Sequence, residues 1–166
     1  MKIAIFGAGG HGKIAADVAL SMGYNEILFF DDKNRSNNIK KFGTYCGNIK
    51  KINQIDNKIP FFIAIGDNGL REKIYGIIKK NSKKIITLIH KNSIVSKYSN
   101  IGKCVIIMPG AVVNSSTKIS LGCILNTSSS LDHDCSINKF THICPGTTIA
   151  GNVKIGKSSF IGAGTT

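Results

Sequence analysis

Two patterns in the 166 residues predict an α/β nucleotide-binding unit followed by a parallel β-helix. The first is a glycine turn, Gly7-Ala8-Gly9-Gly10-His11-Gly12, set between an apolar run and an amphipathic segment. The second is an aliphatic side chain at every sixth position: Ile89, Val95, Ile101, Ile107, Val113, Ile119, Leu125, Leu131, Ile137, Ile143, Ile149, Ile155 and Ile161. Ile, Leu and Val fill about a quarter of the chain, so an unbroken run of this length arises by chance on the order of once in ten million. The boundary is expected near residue 86, giving domains 1–86 and 87–166.

Residues 1–86 read as one half of a Rossmann-like domain. Lys2 to Ala8 is a short apolar strand ending in glycine. Lys13 to Met22 follows as a helix with Ile14, Ala15, Val18, Ala19 and Met22 on one face. Glu26 to Asp32 makes a second strand and Phe61 to Gly66 a third. Leu70, Ile74, Ile77 and Ile78 mark a second amphipathic helix, and Lys84 to Ile89 leads into the repeat. The intervening Lys33 to Lys58, rich in Asn, Lys and Gly, is expected to be loops with at most one weak element.

In the repeat, each aliphatic is followed four positions on by a compact residue, as in Ala111, Thr117, Cys123, Ser129, Cys135 and Thr141. Neither helical nor strand periodicity demands such a pair every six residues. A solenoid does: the aliphatic fills the interior, and the small side chain packs inside the corner.

Composition narrows the function. The formal charge is +13, with 22 basic and 9 acidic residues, but only Arg35 and Arg71 are arginines. Base readout favours the planar arginine fork and single strands favour aromatic platforms, so a lysine-rich chain without Trp argues against a nucleic-acid partner. Lysines instead suit an electrostatic funnel for anionic small molecules. No stretch approaches the ~20 apolar residues of a membrane span, so no membrane insertion is expected. Five cysteines without a C-x-x-C pair read as reduced apolar residues, and a cytoplasmic location is expected.

Two constellations could carry chemistry. The glycine turn fits G-x-G-x-x-G between a strand and a helix, with Asp31 nineteen residues beyond Gly12. Such glycines let the main chain approach phosphate at a helix N-terminus, and the acid can accept from ribose or base. Fewer than 90 residues precede the repeat, so a mononucleotide-sized ligand fits better than NAD. In the repeat, His133 lies between Asp132 and Asp134, and His142 follows. Neither histidine occupies an aliphatic or small slot, so both are expected to face outward. An exposed imidazole beside a carboxylate is the arrangement of a general base. His90, His133 and His142 lack close metal-ligand spacing, and no metal is expected.

At these residues the chain resembles the hexapeptide-repeat acetyltransferases of the sialic acid O-acetyltransferase type, and most of all the bacterial UDP-4-amino-sugar N-acetyltransferases. The stretches that carry the resemblance are GAGGHGKIAADVA, FFDD, FFIAIGDNGLREKIY, LIHKNSIVS, LNTSSSLDHDCSI, FTHICPG and AGNVKIGKSSFIG. The resemblance implies a left-handed helix, a homotrimer with active sites between subunits, acetyl-CoA as acetyl donor and a nucleotide-linked amino sugar as acceptor. It makes His133 the base, Asp134 its support, with Asp132 in reserve, and Asn126 a further residue of the catalytic site. His142 would meet the thioester end of acetyl-CoA, and the Gly151 main chain would lie along the donor. Gly7, Gly9, Gly10, His11, Gly12, Asp31, Asp32, Gly66, Asp67 and Asn68 would hold the nucleotide.

The family often has Glu where Asp134 stands, and its members continue beyond Thr166 with further coils. A truncated form is therefore expected. Two other activities are compatible with the same residues: acetylation of a sugar hydroxyl, as in the sialic acid type, and nucleotide or NAD binding with a β-helix used only for trimerisation.

Overall fold

The structure, a computed structural model, describes residues 1–166 with the exception of the Asn38 side chain. It divides into two compact units, Met1–Ile86 and Thr87–Thr166.

The first unit contains β1 (Lys2–Phe6), α1 (Gly10–Ser21), β2 (Glu26–Phe30), α2 (Ser36–Ile39), β3 (Thr44–Gly47), a 3-10 helix (Ile49–Gln54), β4 (Phe61–Ile63) and α3 (Asn68–Lys80). The four strands form one parallel sheet in the order β3-β2-β1-β4. Strands β1, β2 and β4 are apolar runs, because a parallel strand covered on both faces has no polar side: Ile3, Ala4, Ile5, Phe29, Phe30, Phe61, Phe62 and Ile63 are buried with Ala15, Val18 and Ala19 of α1.

Helix α1 starts at Gly10, three residues before the predicted Lys13, so it begins inside the glycine turn. Close packing explains this. A β-carbon on Gly12 would lie 2.0 Å from the Gly7 carbonyl oxygen, and one on Gly7, whose φ is +109°, would lie 2.3 Å from that of Ala64. A side chain on Gly12 would force the helix off the end of β1, and one on Gly7 would push that turn away from the chain leaving β4.

The segment 33–58 departs from expectation, with three elements where at most one was predicted. Strand β3 is held by main-chain pairing to β2, with a register shift between Phe29 and Phe30, and none of its residues is fully buried. An edge strand of this kind needs little apolar patterning.

The second unit is a left-handed β-helix. Its thirteen two-residue strands stack into three parallel sheets, each strand pairing with the one eighteen residues further on, as in Leu88–Ile106–Ile124–His142–Phe160. One coil is thus three hexads. The predicted aliphatics form the interior, from Ile107 to Ile155, with Ile89, Val95, Ile101 and Ile161 packed at its ends.

The small slot proves to be a donor slot as well. Thr117 Oγ1 donates to Asp132 O at 2.6 Å, Cys123 Sγ to Asn138 O at 3.1 Å, Cys135 Sγ to Ala150 O at 3.1 Å and Thr141 Oγ1 to Gly156 O at 2.8 Å. Each satisfies a carbonyl fifteen residues ahead that the corner takes out of the strand ladder.

The corners demand a left-handed residue at every sixth position from Cys104 to Gly164. Only four of these eleven positions are glycine; the others include Ser116, Ser128, Asp134 and Phe140. At Asp134 the φ of +60° turns the carboxylate back along the chain toward the preceding residue.

Candidate functional site

Two candidate sites are present, one in each unit. The first is a pocket of about 390 Å³ lined by Phe6, Gly7, Gly9, Gly10, His11, Asp31, Asp32, Lys33, Arg35, Ala64, Ile65, Gly66, Leu70 and Ile74. It lies at the carboxyl ends of β1, β2 and β4, where parallel sheets open a crevice. Gly9, Gly10 and Gly66 have open space where a β-carbon would stand, so their main chain is accessible to a ligand.

Of the predicted nucleotide-binding residues, the structure brings Gly7, Gly9, Gly10, His11, Asp31, Asp32 and Gly66 to this pocket. It does not bring Gly12, Asp67 or Asn68 to its lining. Gly12 packs against Gly7. Asp67 caps α3, accepting from Leu70 N at 2.7 Å, and Asn68 Oδ1 accepts from Arg71 at 2.6 Å. Asp31 is itself engaged, since Oδ2 accepts from Ala8 N and Oδ1 from Lys33 N, both at 2.9 Å. It therefore ties the glycine turn to the end of β2.

Sequence reasoning missed Lys33 and Arg35. Their signal was available: they directly follow the strand end that carries Asp31 and Asp32, and Arg35 Nε approaches Asp31 Oδ2 at 3.3 Å.

The second site is the corner Asp132-His133-Asp134. The His133 imidazole is exposed, and its Nδ1 lies 2.8 Å from Asp134 Oδ2. A carboxylate can only accept, so Nδ1 carries the proton and Nε2 is left as the basic nitrogen. The shorter aspartate reaches the ring because the left-handed corner folds it back. Asp132 takes a different part: its Oδ1 accepts from the His133 main-chain N–H at 2.8 Å and from Asn114 Nδ2 at 3.0 Å.

The hydrogen bond to Asp134, and then the charge of Asp132, hold the His133 imidazole above its ordinary pKa. The His133 N–H and then the Asn114 amide hold the Asp132 carboxyl below its own. Asn114 was not predicted; it precedes Asp132 by eighteen residues, one coil.

One coil beyond His133 stands Gly151, and a β-carbon there would meet His133 Nε2 and Cε1 at 2.8 Å. Beside this corner a shallow depression of about 360 Å³ is lined by Asn114, Ser130, Leu131, Asp132, Thr148, Ile149 and Ala150.

His142 corrects a prediction. Expected to face outward into solvent, it lies on the outer side of its strand but is only 8% exposed. Phe160, its partner in the next coil, meets the ring edge-on at 5.1 Å, and Asn126 Nδ2 donates to His142 Nε2 at 3.2 Å. Asn126 and His142 are thus brought together on one sheet, while His133 and Asp134 sit at the corner after the next strand. No group of three or more His, Cys, Asp or Glu side chains that could hold a metal occurs among the described residues.

A glycine-turn α/β unit followed by a left-handed β-helix with an exposed histidine–carboxylate pair defines the class of hexapeptide-repeat acetyltransferases. Residues 2–78 match the PglD N-terminal domain. The acetyltransferase domain of PglB from Neisseria gonorrhoeae FA1090, in complex with acetyl coenzyme A, is 36% identical; the match covers 98% of this chain and 80% of that one, with a TM-score of 0.93. A His-to-Asn variant of perosamine N-acetyltransferase from Caulobacter crescentus, in complex with CoA and GDP-perosamine, is 26% identical over 96% of this chain and 76% of that one, with a TM-score of 0.90. UDP-N-acetylbacillosamine N-acetyltransferase of Bacillus subtilis is 32% identical over 64% of this chain and 51% of its own length. The chain belongs to this family of amino-sugar N-acetyltransferases.

Proposed function

We propose that this protein transfers the acetyl group of acetyl-CoA to the amine of a nucleotide-linked 4-amino sugar, of the UDP-4-amino-4,6-dideoxy-N-acetylhexosamine type, with His133 as general base. The observation that carries the reading is the His133–Asp134 pair, with Nδ1 engaged at 2.8 Å and Nε2 left basic beside a glycine. The amine nitrogen attacks the thioester carbonyl, His133 Nε2 takes the amine proton, and the C–S bond breaks to release CoA. Asp134 fixes the tautomer and stabilises the imidazolium. His142, oriented by Asn126, faces the thioester end, and Gly151, whose missing side chain admits the His133 ring, lies with its main chain along the donor. The buried Cys135 thiol is bonded to Ala150 O and is not required as a nucleophile.

The first-unit pocket holds the nucleotide, through Gly9, Gly10 and Gly66 main chain with Asp31 and Asp32 at its rim. A homotrimer with active sites between subunits is supported by apolar surface on the β-helix, where Ile94 and Tyr98 are 68% and 70% exposed. Reduced cysteines and a donor such as acetyl-CoA suit the cytoplasm.

The test is CoA release, followed by thiol titration, with acetyl-CoA and either UDP-4-amino-4,6-dideoxy-N-acetylglucosamine or GDP-perosamine. Release with the UDP-sugar and its loss in His133→Ala are expected. Release with GDP-perosamine alone would overturn the UDP assignment, and full activity of His133→Ala would overturn the base.

A further inference from the structure

Arg71 is the largest fully buried side chain of the protein, at 1% exposure, yet it lies one turn into α3 directly behind the pocket wall. Its Nη1 donates to Ile65 O at 2.9 Å and to Gly66 O at 3.0 Å, and its Nη2 donates to Asn68 Oδ1 at 2.6 Å. The guanidinium therefore grips the loop between β4 and α3 at three points without itself lining the pocket.

These contacts fix more than the position of the loop. No peptide bond among the described residues is cis, and in a trans peptide the C=O and N–H point in opposite directions. Drawing the Ile65 and Gly66 carbonyls back onto Arg71 turns the N–H groups of Gly66 and Asp67 away from it. A cation on the carbonyl oxygens polarises the same two peptide units and makes their N–H groups stronger donors. Ile65 and Gly66 line the pocket, and nothing stands within 4 Å of where a Gly66 β-carbon would be.

We infer that Arg71 is a positioning residue for nucleotide binding, which aims and polarises the Gly66 and Asp67 amides toward an anionic oxygen of the nucleotide without touching it. This rests on the assignment of the pocket to the nucleotide. It also explains why the Asp67 and Asn68 side chains need not meet the ligand: one caps α3, and the other completes the grip on Arg71. Lysine cannot substitute, because one ammonium does not span two carbonyls and an amide in the planar arrangement of the fork.

The test is calorimetric titration of the full chain with UDP and with GDP, alongside steady-state kinetics, for the parent, Arg71→Lys and Asn68→Ala. Loss of a charge-assisted pair of contacts predicts that Arg71→Lys weakens nucleotide binding by about tenfold or more. The KM for nucleotide-sugar should rise in proportion, while kcat at saturation and the KM for acetyl-CoA stay at parental values. Asn68→Ala keeps Arg71 and removes one arm, and should weaken binding about threefold.

A folded Arg71→Lys variant that binds like the parent would overturn the inference. So would an unaltered Asn68→Ala if the arginine variant does not fold, or a fall in kcat without a change in KM. A parent chain that binds neither UDP nor GDP would instead overturn the nucleotide assignment of the pocket, and the inference with it.

Discussion

The imidazole of His133 rests against the Cα of Gly151, one coil away, so closely that a β-carbon at that glycine would stand 2.8 Å from Nε2. Gly151 is not among the residues with positive φ, so its backbone tolerates alanine. A methyl group there would push aside an exposed, movable ring rather than the main chain. Gly151→Ala should therefore leave the thermal midpoint nearly unchanged while lowering acetyl transfer by about a hundredfold, the usual penalty for displacing a reacting group by an ångström. A turnover near the parental value, measured by CoA release, would contradict the role of the His133 ring as base in the position it takes against Gly151.

The two aspartates should separate in their pH behaviour. As a base His133 must be neutral, and Asp134, then Asp132, raise its pKa, so activity climbs as pH passes upward through a value above the ordinary one. Removing either carboxylate lowers that pKa and moves the acid limb of kcat/KM to lower pH. Asp134→Asn should also lose the fixed tautomer and fall in maximal rate by about 10²-fold or more. Asp132→Asn, which leaves the ring contact of Asp134 intact, should shift the limb with a smaller loss. A limb that stays in place in both variants would show that another group titrates.

The interior assignment predicts a sharp contrast between neighbours. Ile137 is fully buried in the β-helix core, whereas Lys139 at the following corner is exposed. An aspartate at 137 would bury an unpaired charge, at a cost of several kcal/mol, enough to unfold the coil stack. Ile137→Asp should lose the cooperative melt of the β-helix by circular dichroism, and Lys139→Asp should keep it. Equal melting of the two variants would place the wrong face inward.

The period that gave away the β-helix also explains what the sequence concealed. Burial of Ile119, Leu125 or Leu131 follows from side-chain type alone, so the interior was legible residue by residue. His142 was misread because its environment is set by Phe160, eighteen positions later, and a hexad pattern does not reveal which outward side chains stack on each other between coils. Strand β3 was hidden for a different reason: its Thr44–Gly47 segment is held by main-chain bonds to β2, which leave no mark on side-chain patterning. The His133–Asp134 contact lay between those cases. The pair was visible in sequence, but its closure depends on the left-handed turn at Asp134, a conformation that glycine marks at only some corners.

That left-handed requirement gives opposite effects for two corner substitutions. Ser128 adopts φ +54° with an exposed side chain, in a conformation that costs an L-residue about 1–2 kcal/mol and glycine almost nothing. Glycine loses more entropy on folding, by about 0.5–1 kcal/mol, so Ser128→Gly should gain on the order of 0.5 kcal/mol and raise the β-helix midpoint by a few degrees. Gly122, at φ +72°, occupies the equivalent position, but there a β-carbon would lie 2.5 Å from the ring of the buried Phe140. Gly122→Ala must therefore accept both the strained φ and a collision inside the stack, and should lose about 2 kcal/mol or more. Thermal denaturation of the two variants beside the parent checks the pair. A midpoint that falls with Ser128→Gly, or holds with Gly122→Ala, would mean that the corners relax by moving the main chain rather than by selecting the residue.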